Sequence, residues 1–276
     1  MRPSDVVARG TEYLQRHGVE DARSSAEILM TKVLGTDRAG IYSRGEALTS
    51  VEARSYGRAL CQRCTGVPVQ HLTGDQPFRA LTLEVRAGVF VPRPETEVLV
   101  DVALGALEDI ADPVVVDVGT GTGAIALAIK SERPEATVFA TDVSAEACAL
   151  SADNADRLRL EITIHEGDLF EALPQDLAGR VDLIAGNPPY VTPDEYLDLP
   201  PEVKADPVDA LVGGLPAYAR LIEGAAAWLR ARSALVVEIG ADQATDVARL
   251  FAEAFEDVVV TQDLAGRDRI VSGRRR

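Results

Sequence analysis

Two short runs of this chain carry residue types that suit chemistry. The first is Asn187-Pro188-Pro189-Tyr190. An asparagine side chain offers a carbonyl acceptor. Pro188 has no N–H, so the backbone around it presents a C=O without a competing donor. Two such acceptors fit the two hydrogens of an NH₂ group, and Tyr190 suits packing against the planar group that carries it. An amide or aryl amine is a poor nucleophile because its lone pair is delocalised. Two acceptors can localise that pair and aim it at a methyl sulfonium. No strong general base is then required; proximity and aimed dipoles lower the barrier. The plainer role for Asn187 is to cap the turn after a strand.

The second run is Asp117-Val118-Gly119-Thr120-Gly121-Thr122-Gly123. Its glycines allow a tight turn and close approach of backbone to a ligand. The third glycine falls one residue early for G-x-G-x-x-G, which disfavours a dinucleotide. Asp117, at the end of an apolar strand, suits a cationic or amino-bearing ligand better than a pyrophosphate. The run therefore reads as a methyl-donor turn. Asp142 ends the next candidate strand and suits both hydroxyls of a ribose, or the capping of a helix. Asp168 ends a third and suits an adenine amino group, or caps the next turn of the chain.

These residues need a scaffold that brings strand ends together. From residue 94 the chain alternates helix and strand. Pro94 suits a helix first turn, with the helix running to about Leu107. Strands are expected at 114–119, 137–142, 162–168, 181–186, 234–240 and 258–263, and helices at 123–132, 144–158, 217–231 and 242–254. This alternation predicts a parallel sheet wrapped by helices. The proline-rich stretch 188–216 breaks the rhythm directly after a strand, where long loops carry function.

Residues 3–66 read as helices, with apolar residues at Val6, Val7, Tyr13 and Leu14 and again at Ala26, Leu29, Met30, Val33 and Leu34. Gly18 and Gly35 lie where helices would stop, and Thr49 with Glu52 makes a capping box for a helix to about Thr65. Between Val67 and Val91, Phe78, Leu81, Leu83 and Val85 partly alternate with polar residues, a hairpin pattern. The expected organisation is a helical substrate-recognition domain at 1–75, a β-hairpin linker at 76–91 and an α/β domain at 92–276.

Composition narrows the function classes. The 276 residues carry a net charge of −16. Residues 1–75 and 76–91 are each at +1, so the acidic excess of −18 lies entirely in 92–276. That distribution argues against non-specific nucleic-acid binding and is compatible with a basic protein partner. No apolar run approaches the roughly 18 residues of a membrane span, and residues 1–18 lack the apolar core of a signal peptide. Three cysteines make no disulfide scaffold, so a reducing cytoplasm is expected. Cys61-x-x-Cys64 has no second pair or histidine cluster, so no metal is expected. Trp228 reads as core and Arg274-Arg275-Arg276 as a solvated tail. Arg93 reads as binding a carboxylate near the domain junction or pairing with Glu95 or Glu97.

D-x-G-T-G-T-G together with a downstream N-P-P-Y resembles class I S-adenosylmethionine-dependent methyltransferases acting on the NH₂ of a planar system. Essentially end to end, the chain is similar to the HemK/PrmC family, which methylates the glutamine of the Gly-Gly-Gln motif in peptide chain release factors. The helical N-terminal region, Val91-Pro92-Arg93-Pro94-Glu95-Thr96-Glu97, Glu238-Ile239-Gly240 with Gln243, and Asp263-Leu264-Ala265-Gly266-Arg267-Asp268-Arg269 carry the resemblance. It implies a Rossmann-like methyltransferase domain and S-adenosyl-L-methionine contacts at Gly119 through Gly123, Asp142, Asp168 and Leu169. Substrate contacts are implied at Asn187, Pro188, Pro189 and Tyr190, with a release factor as partner; a monomeric, cytoplasmic enzyme is expected. Competing readings are a ribosomal-protein glutamine methyltransferase, an N6-adenine nucleic-acid methyltransferase and a non-catalytic cofactor-binding adaptor. Leu169 stands where family members often have an aromatic residue. Ala205-Asp206-Pro207 replaces the usual Tyr-Glu-Pro, and Pro216-Ala217 replaces the usual acidic-Gly after Gly213-Gly214.

Overall fold

A computed structural model describes all 276 residues, which form two compact units. The first comprises Met1–Asp75 together with Pro200–Ala205; the second comprises Gln76–Leu199 and Asp206–Arg276. The stretch expected as a linker at 76–91 therefore clusters with the α/β unit. Six residues of the proline-rich loop cluster with the helical one.

The first unit is built from α1 (Pro3–Arg16), α2 (Ala22–Leu34), α3 (Arg38–Ser43), α4 (Ser50–Arg63) and α5 (Val69–Thr73). Thr49 and Glu52 make the reciprocal capping box at the start of α4, satisfying two N–H groups that a helix start otherwise leaves bare. Gly35 ends α2 in the left-handed region. Val7, Leu14, Ala26, Leu29, Met30, Ile41, Tyr56 and Leu60 form its core. Arg63, at the end of α4, is buried yet fully partnered. Its guanidinium meets Ser25 at 3.1 Å, Asp21 at 2.8 Å and Glu202 of the returning loop at 2.7 Å.

A two-stranded hairpin, β1 (Asp75–Phe78) and β2 (Leu81–Glu84), leads into the second unit. Next come α6 (Thr96–Ala106), β3 (Val114–Val118), α7 (Ala124–Glu132), β4 (Thr137–Asp142), α8 (Ala145–Leu158), β5 (Thr163–Glu166), β6 (Val181–Gly186), α9 (Pro193–Asp198) and α10 (Val208–Leu211). The unit ends with α11 (Leu215–Trp228), β7 (Leu229–Glu238), α12 (Ala244–Ala254), β8 (Phe255–Gln262) and β9 (Asp268–Arg275). The sheet order is β5-β4-β3-β6-β7-β9-β8. β6 is buried along its whole length, as an apolar central parallel strand must be when helices cover both faces. One apolar layer joins α6 and α7 to the sheet, and a second joins α11 and α12 to it.

Two features depart from the expectation. The sheet is mixed, because β9 runs antiparallel to both β7 and β8 and lies between them. Consequently Arg274 and Arg275 are strand residues. Arg274 donates to the Arg232 carbonyl at 3.0 Å, Arg275 to the Leu229 carbonyl, and Arg276 to the Ala252 carbonyl at 2.7 Å. The expected solvated tail is thus an inner strand with its guanidiniums tied to backbone. Trp228 is buried and stacks on Phe170 with ring centroids 6.0 Å apart, a core role.

Candidate active site

The strand order reverses between β3 and β6: β4 and β5 extend to one side, β7 and its neighbours to the other. In an open α/β sheet, the crevice at the carboxyl ends beside such a reversal is where ligands sit. Val118 of β3 pairs with Gly186 of β6. The glycine turn and Asn187 therefore leave neighbouring strands at the same level. A Cβ on Gly186 would stand 2.8 Å from the Val118 carbonyl, so only glycine permits this approach.

On the β3 side, the turn is fixed by carboxylates. Asp117 Oδ2 accepts from Thr120 Oγ1 at 2.7 Å and from the Ala126 amide at 3.1 Å. Its Oδ1 is buried with no hydrogen-bond partner. Burial pushes the Asp117 carboxyl up to about 7, opposed by its two donors and assisted by the charge of Asp142. Asp142, at the end of β4, accepts from the Gly121 amide through Oδ2 and the Ser144 amide through Oδ1, both at 2.9 Å. It thus couples the glycine turn to the adjacent strand end. Gly119 and Gly121 have positive φ and nothing within 4 Å of where a Cβ would lie. Gly123, by contrast, is hemmed in by Ser151 and Leu127. The first two glycines face open space and the third serves packing. An unpartnered buried carboxylate oxygen, an open glycine cradle and Asp142 fit a ligand with a cationic head and a ribose, as S-adenosyl-L-methionine has. Thr120 and Thr122 are buried within the turn.

Asp168 lies two residues beyond the end of β5 and pairs on the surface with Arg220 at 2.7 Å. That partner comes from α11, 52 residues away. Leu169 has positive φ and lies partly buried against the Phe170 layer.

On the β6 side, Asn187 is partly exposed and Pro188 is buried. Tyr190 is partly buried, its hydroxyl pushed up to about 12 by desolvation. Its carbonyl accepts from Gln243 Nε2 at 2.8 Å. Gln243 Oε1 in turn lies 3.1 Å from both the Gly240 amide and the Tyr218 hydroxyl. The Val191 amide donates to the Leu211 carbonyl at 2.9 Å, and Gly213 donates to the Val191 carbonyl at 3.0 Å. A Cβ on Gly213 would fall 2.4 Å from the Pro189 carbonyl, so this glycine seats the turn. Asp206, whose side chain is fully buried, accepts from the Val91 amide at 3.1 Å and pairs with Arg93. Arg93 therefore takes the carboxylate option, with Asp206 rather than Glu95 or Glu97. It also lies over the Phe90 ring at 5.2 Å.

Spacing gave no role to Glu238, Thr96, Gln243 or Gly213. The rule that singled out Asp117 and Asp142, an acid closing a strand, also fits Glu238 at the end of β7. Glu238 is 1% exposed and accepts from Thr96 Oγ1 at 2.6 Å.

Residues 5–74 match the family model described as PrmC N-terminal domain, and residues 81–199 match the methyltransferase small domain. The fold resembles the hMettl16 catalytic domain in complex with a MAT2A 3'UTR hairpin, with TM-score 0.56 and 12% identity over 79% of this chain and 81% of that one. It also resembles T. thermophilus RsmC in complex with AdoMet and guanosine, with TM-score 0.54 and 19% identity over 73% of this chain and 50% of that one. The chain is 38% identical to the release factor glutamine methyltransferase of Deinococcus radiodurans, over 100% of this chain and 99% of that protein. To the enzyme of the same name from Xylella fastidiosa it is 40% identical, over 99% of this chain and 98% of that protein. With identity of this degree from one end to the other, the chain belongs to the release factor glutamine methyltransferase family.

Proposed function

We propose that this protein transfers a methyl group from S-adenosyl-L-methionine to the side-chain amide nitrogen of the glutamine in the Gly-Gly-Gln motif of a peptide chain release factor. The observation that carries the reading is the pairing of Val118 with Gly186, which sets an open glycine cradle and an Asn-Pro acceptor pair side by side. S-adenosyl-L-methionine supplies an electrophilic methyl on a sulfonium. Gly119 to Gly123 give it backbone approach, Asp117 faces its amino group and Asp142 its ribose. Asp168 and Leu169 border the adenine.

Asn187 Oδ1 and the Pro188 carbonyl each take one hydrogen of the glutamine NH₂. This turns the nitrogen lone pair out of conjugation and toward the methyl, while Pro189 and Tyr190 wall the planar amide. The new N–C bond forms as the S–C bond breaks, and one N–H proton leaves to water. The products are N5-methylglutamine and S-adenosylhomocysteine. The residues act by position and dipole rather than as strong bases.

The helical unit recognises the body of the release factor, and the enzyme works as a monomer in the cytoplasm. Its three free cysteines suit a reducing compartment. No helix is long and apolar enough to cross a membrane.

Incubation with purified release factors, a ribosomal protein, a Gly-Gly-Gln peptide and adenine-containing DNA, read by mass spectrometry, tests the reading. One added methyl on the release-factor glutamine is expected. Modification of the ribosomal protein or the DNA instead would replace the assignment.

A further inference from the structure

An asparagine amide has two ends of nearly equal size and opposite function: Oδ1 accepts and Nδ2 donates. Only the rotamer with Oδ1 toward the substrate serves an incoming NH₂; the reverse presents N–H to N–H. Glu238 lies where that choice is made. It closes β7, the parallel neighbour of β6, and Val237 stands in register with Gly186. Its carboxylate is almost completely buried. Thr96 Oγ1, from the first turn of α6, donates to Oε2 at 2.6 Å. The same register sets Asn187 beside Glu238, and its side chain helps to hold that carboxyl's pKa down. An ionised carboxylate only accepts, so Nδ2 is the end of Asn187 that it can hold.

We propose, on the reading of the reaction given above, that Glu238 is a positioning residue: it draws Nδ2 of Asn187 inward and thereby commits Oδ1 to the substrate amide. Thr96 steadies the carboxylate, so the threonine of Pro-Glu-Thr-Glu serves the reaction at one remove. Asn187 touches substrate; Glu238 acts through it.

The arrangement depends on charge. Burial pushes the Glu238 carboxyl up to about 7; Thr96, the charge of Arg269 and Asn187 hold it down, and the charge of Glu95 raises it. Arg269 comes from β9, Glu95 and Thr96 from the start of α6, and Asn187 from the end of β6. Tyr190 and Tyr218 are both raised, the first to about 12, and stay neutral near pH 7. Protonated Glu238 has an O–H as well as a C=O, and can hold either end of the Asn187 amide. Selection then fades as pH falls through the Glu238 pKa and is complete above it.

Glu238→Gln keeps the shape and removes the charge, and its own amide can present either end. Its kcat at saturating methyl donor should fall about tenfold, less than the 10²–10³ expected for deleting an aimed polar group. The KM for the donor should hold. The rise of kcat with pH seen in the wild type should flatten. In Asn187→Asp/Glu238→Gln the carboxylate and the amide exchange places, so this double variant should outpace Asn187→Asp alone. A readout free of activity is the side-chain NH₂ resonance pair of Asn187 by ¹⁵N NMR, identified by its loss in Asn187→Asp. In the wild type it should shift with pH as Glu238 ionises; in Glu238→Gln it should not. Resonances indifferent to pH in the wild type, or a Glu238→Gln enzyme with wild-type kcat and pH profile, would overturn the proposal. Absence of methyl transfer to release factors by the wild type, with the NMR titration as expected, would instead overturn the proposed function and support the pairing.

Discussion

Asp117, next to the last residue of β3, and Glu238, the last of β7, lie on the two sides of the β6 strand that ends beside Asn187. Both are buried, and burial pushes both carboxyls up to about 7. Their surroundings then diverge. Asp117 fixes the glycine turn through one oxygen and leaves the other without a partner. Glu238 meets a hydroxyl and the side-chain amide of Asn187. A buried polar atom without a partner costs about 1–3 kcal/mol, a cost that a ligand can relieve. A satisfied one rigidifies its neighbours. On the proposed reading, the same residue class at the same kind of place serves a ligand on the β3 side and a neighbouring side chain on the β7 side.

The contrast breaks most visibly at Asn187. Asn187→Ala should lower turnover by about 10²–10³ while S-adenosyl-L-methionine binding stays near normal, because one of two aimed acceptors is lost. Asn187→Asp should fall between the two, since it keeps an acceptor but sets a second carboxylate against Glu238. Single-turnover rates measured beside thermal melting check this; a normal rate in folded Asn187→Ala would sink the mechanism.

The β3 side should respond in binding instead. Asp142→Ala should weaken the methyl donor by roughly 1.5–3 kcal/mol and loosen the turn through the lost Gly121 contact. Gly121→Val should act in the same direction, since its side chain would enter the open cradle at positive φ. Calorimetry reads both. Unchanged affinity in a folded Gly121→Val would remove the cradle from the donor site.

A milder test uses pH. The donor's ammonium favours ionised Asp117, so binding lowers the Asp117 pKa and releases a proton. Affinity should therefore rise with pH and level off above the free protein's value of about 7. The gain between pH 6 and 8 should be about tenfold. Asp117→Asn should flatten that curve, whereas Glu238→Gln should leave it and flatten the pH dependence of kcat.

The smallest effect expected is a severalfold slowing of association with a whole release factor as salt rises. Its origin is an acidic excess confined to residues 92–276 meeting a basic partner surface. Stopped-flow rates at low and high salt, and poor turnover of a short Gly-Gly-Gln peptide, check it. Equal efficiency on peptide and whole protein would remove residues 1–75 from recognition.

Legibility in the sequence depended on whether the partners lie close along the chain. Asp117 to Gly123 and Asn187 to Tyr190 are contiguous, and their strands, 114–118 and 181–186, are apolar but for one aspartate each. The Thr49–Glu52 capping box spans three residues and is equally plain. The Thr96–Glu238 contact spans 142 residues, and its threonine sits in a motif legible only by resemblance. Asp168 reads as an adenine contact or a cap, and the Arg220 that pairs with it comes from α11, 52 residues away, where no local pattern reveals it. β9 escaped because only Ile270 and Val271 are strongly apolar, and its arginines find carbonyl partners that no local pattern reveals. Adjacency alone places residues 200–205 in the α/β part. Arg63, far earlier in the chain, recruits Glu202 to the helical unit.

The place of β9 bears on how the molecule comes into being. It comes after β8 in the chain yet lies between β7 and β8. During synthesis, β7 and β8 can emerge with no strand to join them. Ile270 pairs with Glu238, so the edge of β7 that carries Glu238 stays bare until residues 268–275 arrive. Assembly that proceeds from the first residues made therefore completes the strand under the acceptor site last. A nascent chain arrested short of that point would hold the donor turn on β3 and still lack the neighbour that secures β7.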